Sequence, residues 1–241
     1  MKTFVDVCSG FGSMTKAFEK TGAYRCIGAV EINENMRLQY KICNNNRMPM
    51  EDILSDKTVE LLNKYPYDVL VGSTSYVGED IFYAMLEIVD EYIPKAFVIE
   101  MDTGTSSYGF AKTVDIFCKK NGYKFVGYDQ GIDNITLNLE NFGVPEFCER
   151  IWCIGIRYDV LRFDDDIFLQ LNKNHDFKCY EYGDYNPSEK IEQRRGIDWG
   201  FGNNFQWLIG TPTKEKEAIV DFTTPLPMAT SVALDLMSWF D

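Results

Sequence analysis

Histidine is almost absent: His175 is the only one in 241 residues. A histidine-built metal centre is therefore excluded. The seven cysteines are odd in number and scattered, and no two stand in CxxC spacing. A metal or disulfide framework is not expected from that pattern. Cys8, Cys26 and Cys153 lie in apolar runs, so buried free thiols are the expected state. No apolar run approaches the roughly 18 residues of a membrane span, and the N-terminus lacks a basic-then-apolar signal. These absences predict a cytoplasmic protein without a membrane partner. Positive charge is also scarce. Lys and Arg number 24 against 37 acidic residues, for a net charge of −13. Phosphate neutralisation supplies most of the affinity of unaided DNA binding, so this balance argues for weak or no direct DNA binding.

What is present begins at residues 3–14. The apolar run Phe4 to Cys8 breaks at Ser9-Gly10-Phe11-Gly12, and a helical pattern follows at once from Met14 to Lys20. This reads as strand, glycine turn and helix. Such a turn lets the backbone approach a ligand, and the helix offers free N–H groups. A second apolar run, Cys26 to Val30, ends in Glu31. An acidic residue at that distance and at a strand end suits a ribose hydroxyl pair, so the spacing proposes a nucleoside cofactor. An ordinary strand-to-helix turn is the competing explanation.

Strands and helices alternate from Thr3 to about Tyr128. Tyr67–Val71, Ala96–Ile99 and Lys124–Tyr128 read as strands. Lys57–Lys64, Gly78–Tyr92 and Ala111–Lys120 read as helices, with Ile81, Met85, Ile88 and Val89 forming one stripe. Ile135–Leu139 and Arg150–Arg157 read as an antiparallel pair. The alternation predicts an α/β, doubly wound, mostly parallel sheet, with ligands at the carboxyl ends of its strands. From Tyr158 to Leu226 the pattern gives way to turn-rich, aromatic-interleaved sequence, and Ala229–Phe240 reads as a closing helix. The expected organisation is a domain over 1–157, a short irregular segment over 158–226, and a helix over 227–241 that returns to the first domain.

Several separated stretches, in order, resemble the cytosine-C5 DNA methyltransferase family. Asp6-Val7-Cys8-Ser9-Gly10-Phe11-Gly12 is similar to its first S-adenosylmethionine (SAM) motif. Glu31-Ile32 falls where the family binds the ribose, and Asp52-Ile53 where a carboxylate takes the adenine amino group. Asp68 to Ser73 resembles the strand entering the catalytic loop, with Gly72 at its end. Pro94 to Glu100 is similar to the strand ending in the catalytic Glu. Phe142 to Gly155, with Arg150, resembles the Gly-Val-Pro-Gln-x-Arg-x-Arg strand. Ala229-Thr230-Ser231-Val232 looks like a worn form of the C-terminal Gly-Asn-Ser-Val motif. The resemblance implies a Rossmann-like SAM-dependent methyltransferase fold. SAM, or its product S-adenosylhomocysteine, would be held by Asp6, Ser9, Gly10, Phe11, Gly12, Glu31, Ile32, Asp52, Ile53, Gly72, Ser231 and Val232.

The departures bear on function. The family's loop Gly-Ser-Pro-Pro-Cys-Gln is Gly72-Ser73-Thr74-Ser75-Tyr76-Val77 here, so Tyr76 holds the nucleophile's place. Glu-Asn-Val is Glu100-Met101-Asp102, and Gln-x-Arg-x-Arg is Glu146-Phe147-Cys148-Glu149-Arg150. Carbon 5 of cytosine attacks a methyl group only after a thiolate adds to carbon 6. A tyrosine, with an ordinary pKa near 10, is a poor substitute. Tyr76 would also fill space that a flipped base needs, beside Glu100 and Arg150. Bland alternatives stand beside these roles. Glu100 caps the N–H groups of the segment after its strand, Arg150 forms a structural ion pair, Tyr76 is a packed aromatic, and Trp199, Phe201, Phe205 and Trp207 form a local packed cluster rather than a surface that stacks bases.

Three functions follow from this reading: a catalytically silent regulatory or accessory subunit that pairs with an active methyltransferase or another protein, an active SAM-dependent enzyme with a nucleotide or heteroatom acceptor, and an acidic decoy of DNA-binding proteins. A direct displacement at nitrogen or oxygen needs approximation rather than a thiolate. The charge yields a prediction. A duplex titration at physiological salt should show binding no tighter than the non-specific range, roughly 0.1 mM to 1 µM. A nanomolar complex without a partner would contradict it.

Overall fold

The computed structural model describes residues 1–45, 47–53, 55–74, 79–103, 107–128, 131–138, 149–162 and 226–239. Within them, seven strands form one sheet in the order β2-β1-β3-β4-β7-β5, with β6 also paired to β7. The strands are β1 Lys2–Val7, β2 Tyr24–Val30, β3 Val69–Ser73, β4 Ala96–Asp102, β5 Tyr123–Phe125, β6 Thr136–Asn138 and β7 Glu149–Arg157. The helices are α1 Ser13–Lys20, α2 Glu34–Cys43, α3 Asp56–Lys64, α4 Glu79–Tyr92, α5 Ser107–Asn121 and α6 Leu226–Trp239. β2, β1, β3 and β4 run parallel, and β7 is antiparallel to β4, β5 and β6.

Strand alternation sorts the core into two layers. Phe4, Val69, Val71, Ala96, Val98, Trp152, Ile154 and Ile156 face one side, where they join Met14, Phe18, Val232 and Leu236 of α1 and α6. Val5, Val7, Leu70, Phe97, Ile99, Ile151 and Cys153 face the other, beneath Leu62, Phe82, Met85, Val89 and Val114 of α3, α4 and α5. Coverage on both faces is why the central strands read as nearly continuous apolar runs. The helix ends follow local chemistry. Asn33 caps α2 by accepting from the Met36 N–H at 3.2 Å. Gly122, at φ +75, turns the chain out of α5.

The sheet differs from the sequence expectation at its margins. β4 runs on to Asp102, because its last residues pair with Arg150 and Ile151 of β7. The strand after α5 covers Tyr123–Phe125 rather than Lys124–Tyr128, since Gly127 turns the chain at φ +77. Of the expected Ile135–Leu139 strand, Thr136–Asn138 pairs with β7, Ile135 ends a short turn of helix, and residue 139 lies outside the described residues. The expected irregular segment lies outside the described residues from 163 to 225.

Gly155 on β7 is buried, and a β-carbon there would collide with the Phe97 ring. Both lie within the paired core of β4 and β7, where neither can give way freely. Gly155→Ala should therefore cost about 1–3 kcal/mol, the usual penalty of overpacking. Urea unfolding measures it, and an unchanged midpoint would contradict the packing account.

Candidate functional site

Parallel strands deliver the ends of β1, β2, β3 and β4 to one edge of the sheet. β7, running the other way, brings Arg150 to the same edge, opposite Asp102. The chain leaves β1 through a tight turn. Cys8 sits at φ +55 and Gly10 at φ +52, and the Gly12 N–H bonds the Ser9 carbonyl at 2.7 Å. A β-carbon on Gly10 would meet nothing within 4 Å, so that backbone is open to approach. Gly12, at φ +85, has a packing reason as well: a β-carbon there would strike the Asn44 side chain and the Tyr40 ring. Phe11 is 3% exposed and packs into the apolar layer under α1 and α6.

Two carboxylates shape the turn. Asp6 is wholly buried, and its Oδ2 accepts from the Thr15 N–H at 3.0 Å and the Thr15 hydroxyl at 2.6 Å. It thereby serves the first turn of α1, where a negative charge suits the free N–H groups. Its Oδ1 is buried and has no hydrogen-bond partner among the described residues. Burial raises the Asp6 carboxyl from 3.8 to about 7, against the lowering effect of the Thr15 bonds and with a small addition from Glu31. Glu31, at the end of β2, accepts from the Gly10 N–H and from the Asn33 N–H, each at 2.8 Å.

The other cofactor candidates are placed as follows. Met50 bridges to Val30, which carries Asp52 alongside the end of β2. Asp52, Glu31 and Asp6 all lie close enough to Cys8 to help raise its thiol pKa, after burial as the main cause. Ile32 is 61% exposed, whereas Ile53 is buried among the core residues of the α4 side. Gly72 is buried, and the room its side chain lacks is taken by Val7 and Met85, so packing alone accounts for its glycine. Ser231 and Val232 are buried on α6, which packs against α1. Among the described residues the buried hydroxyls of Ser9, Thr230 and Ser231 have no hydrogen-bond partner.

The second cluster lies at the ends of β3 and β4. Glu100 is fully buried. Its Oε1 pairs with the Arg150 Nε at 2.8 Å, and its Oε2 accepts from the Ser73 hydroxyl at 2.5 Å. Thr74, where the resembled loop has its first proline, donates its N–H to the Glu100 carbonyl at 2.9 Å. Proline has no such donor, so the β3–β4 ladder runs one bond further than a proline would allow. Tyr76 and Glu146 lie outside the described residues, and with them the expectation that Tyr76 meets Glu100. No described cysteine replaces the missing thiolate. Burial raises the thiols of Cys8, Cys43, Cys118 and Cys153, and that of Cys26 to about 11.

Residues that spacing did not single out also enter the site. Asn44, buried at the end of α2, donates from Nδ2 to the Phe11 carbonyl at 2.9 Å and the Tyr40 carbonyl at 3.0 Å. The Tyr40 hydroxyl lies 3.0 Å from that of Thr15, which serves Asp6. Arg37 donates to the Glu31 and Ile32 carbonyls at 3.0 and 2.7 Å. An asparagine after an amphipathic helix reads simply as a helix stop, so no local signal set Asn44 apart.

A family model described as C-5 cytosine-specific DNA methylase matches residues 2–195. The type II methyltransferase M.HpaII of Haemophilus parainfluenzae is 28% identical over 171 residues, covering 64% of this chain and 45% of its own. The type II methyltransferase M.AquIA of Picosynechococcus sp. is 24% identical over 259 residues, covering 95% of this chain and 90% of its own. The chain spans less than half the length of M.HpaII and of two phage orphan methyltransferases, 33 to 45%. Among solved structures, the Entamoeba histolytica methyltransferase EhMeth superposes with a TM-score of 0.63 at 13% identity, over 99% of this chain and 98% of that one. That likeness shows the fold: a Rossmann-like methyltransferase sheet. Among the described residues no helix is long and apolar enough to cross a membrane.

Asp6 gives this site a pH signature. Between its ordinary value of 3.8 and about 7, the unfolded chain has lost the Asp6 proton while the folded chain keeps it. Stability must then fall as pH rises through that window. Asp235, also raised to about 7 by burial, acts with the same sign. Asp6→Asn removes one of the two, so urea-derived stability should fall less steeply between pH 5 and 7. An unchanged slope would show that Asp6 is ionised throughout.

Proposed function

Because this chain belongs to the C-5 cytosine-specific DNA methylase family, we propose that it keeps the family's cofactor pocket, does not methylate cytosine by itself, and serves as an accessory or regulatory partner of an active methyltransferase. The observation that carries this reading is Tyr76 at the place of the nucleophilic cysteine. SAM is the methyl donor of this family and, when bound, supplies an electrophilic methyl group.

The turn and its neighbours fit such a ligand. Each Glu31 oxygen keeps a lone pair beyond its amide bond, which suits two adjacent ribose hydroxyls. Asp52 takes the adenine amino group, and the exposed Ile32 offers an apolar face to the ring. Asp6 Oδ1, Ser9 Oγ and Ser231 Oγ are buried without partners among the described residues, a state that native proteins rarely leave unanswered. An ammonium and a carboxylate are complementary to them. Phe11, Gly12, Ile53, Gly72 and Val232 hold the pocket's shape by packing.

In the acceptor half, Glu100, Arg150 and Ser73 match the family and form one buried cluster, so silence rests on Tyr76 in the nucleophile's place. The acidic surface and the covered Glu100 favour a protein partner over bare DNA.

Calorimetry with S-adenosylhomocysteine should give saturable binding in roughly the 1 µM–1 mM range usual for enzyme ligands. Glu31→Gln should weaken it by about 1.5–3 kcal/mol, the worth of hydrogen bonds to a charged group. Labelled-methyl transfer from SAM to cytosine-containing DNA should stay at background, also for Tyr76→Cys, since Val77, Met101 and Glu146 differ too. Folded protein that binds no ligand would overturn the pocket. Strong cytosine methylation by the unaltered chain would overturn the silence.

A further inference from the structure

We propose that Asn44 is a positioning residue for the cofactor turn, a clamp through which the end of α2 sets the backbone that the ligand meets. This rests on the cofactor reading of that turn. Three contacts carry it. Asn44 is fully buried, and its Nδ2 donates to the carbonyl of Phe11, in the middle of the turn, at 2.9 Å. The same Nδ2 donates to Tyr40 O at 3.0 Å, so the amide is held to the last turn of α2 and cannot swing away without losing both bonds. Asn44 and the Tyr40 ring also fill the place where a side chain on Gly12 would stand, which leaves the left-handed Gly12 no room to shift toward α2.

The clamp complements the bond from the other flank. Glu31 holds the N–H of Gly10, and Asn44 holds the carbonyl of Phe11. The two peptides, Ser9–Gly10 and Phe11–Gly12, flank the Gly10–Phe11 peptide and are gripped by opposite polarities, an acceptor on one and a donor on the other. With both in place the peptide between them is held from either side, and Gly10 faces open space. Without the Asn44 donor the Phe11 carbonyl loses this bond, and the turn gains freedom that a ligand must remove on binding. Preorganisation of this kind acts on affinity.

The experiment is calorimetry with S-adenosylhomocysteine on wild type, Asn44→Ala, Asn44→Ser and a control, Val114→Ala. Val114 is buried on α5, which packs on β5 and β7, away from the turn. Unfolding midpoints are recorded for all four. Asn44→Ala is expected to bind at least about tenfold more weakly, and Asn44→Ser, which restores a short donor, to recover part of the loss. Val114→Ala is expected to lose stability and keep its affinity within about threefold. If Asn44→Ala does not fold, Asn44→Ser against Val114→Ala makes the same comparison. Wild-type affinity in the Asn44 variants, or equal losses in the control, would overturn the clamp while leaving the pocket standing. A wild type that binds nothing would remove the cofactor reading and the clamp with it.

Discussion

The carboxylate of Glu31 accepts from two backbone amides at once, Gly10 after β1 and Asn33 before α2. Much of the site's geometry follows from that double bond. It ties the ends of two adjacent parallel strands together, fixes the open turn, and starts α2 in the direction that returns Tyr40 and Asn44 to the same turn. Arg37, one turn into α2, secures the arrangement by taking the carbonyls of Glu31 and Ile32. The interaction is built from backbone donors, so it does not depend on the identity of the side chains around it. That independence lets a strongly diverged sequence retain the geometry.

The two halves of the sheet edge differ in how far their polar groups are satisfied. At the glycine turn Asp6 Oδ1 and the Ser9 hydroxyl, and on α6 the hydroxyls of Thr230 and Ser231, are buried without hydrogen-bond partners among the described residues. At the ends of β3 and β4, Glu100 is closed within its own cluster by Arg150 and Ser73. Burial without a partner costs on the order of 1–3 kcal/mol per group, so the first half gains by taking a ligand.

Much of this was legible in the sequence, for reasons that can be stated. The glycine turn and the apolar runs of β1, β3 and β4 were readable because central parallel strands are buried on both faces. The pairing of Thr136–Asn138 with β7 was readable because both flank one turn-rich stretch. Other features depend on distant contacts. β4 reaches Asp102 only because β7 lies beside it. Phe11 is turned into the core by α6, more than 200 residues later in the chain. The raised pKa of the Asp6 carboxyl follows from total burial, which the whole fold imposes. Asn44 acts through a carbonyl 33 residues away, a partner that no local pattern names.

The central claim is that the turn between β1 and α1, held by Glu31, receives the nucleoside of SAM. A crystal structure of the chain with S-adenosylhomocysteine tests it most directly. The account predicts both ribose hydroxyls on the Glu31 carboxylate, the adenine amino group at Asp52, and Gly10 still bonded to Glu31. A ligand seated elsewhere, or a ribose that leaves Glu31 untouched, would contradict it.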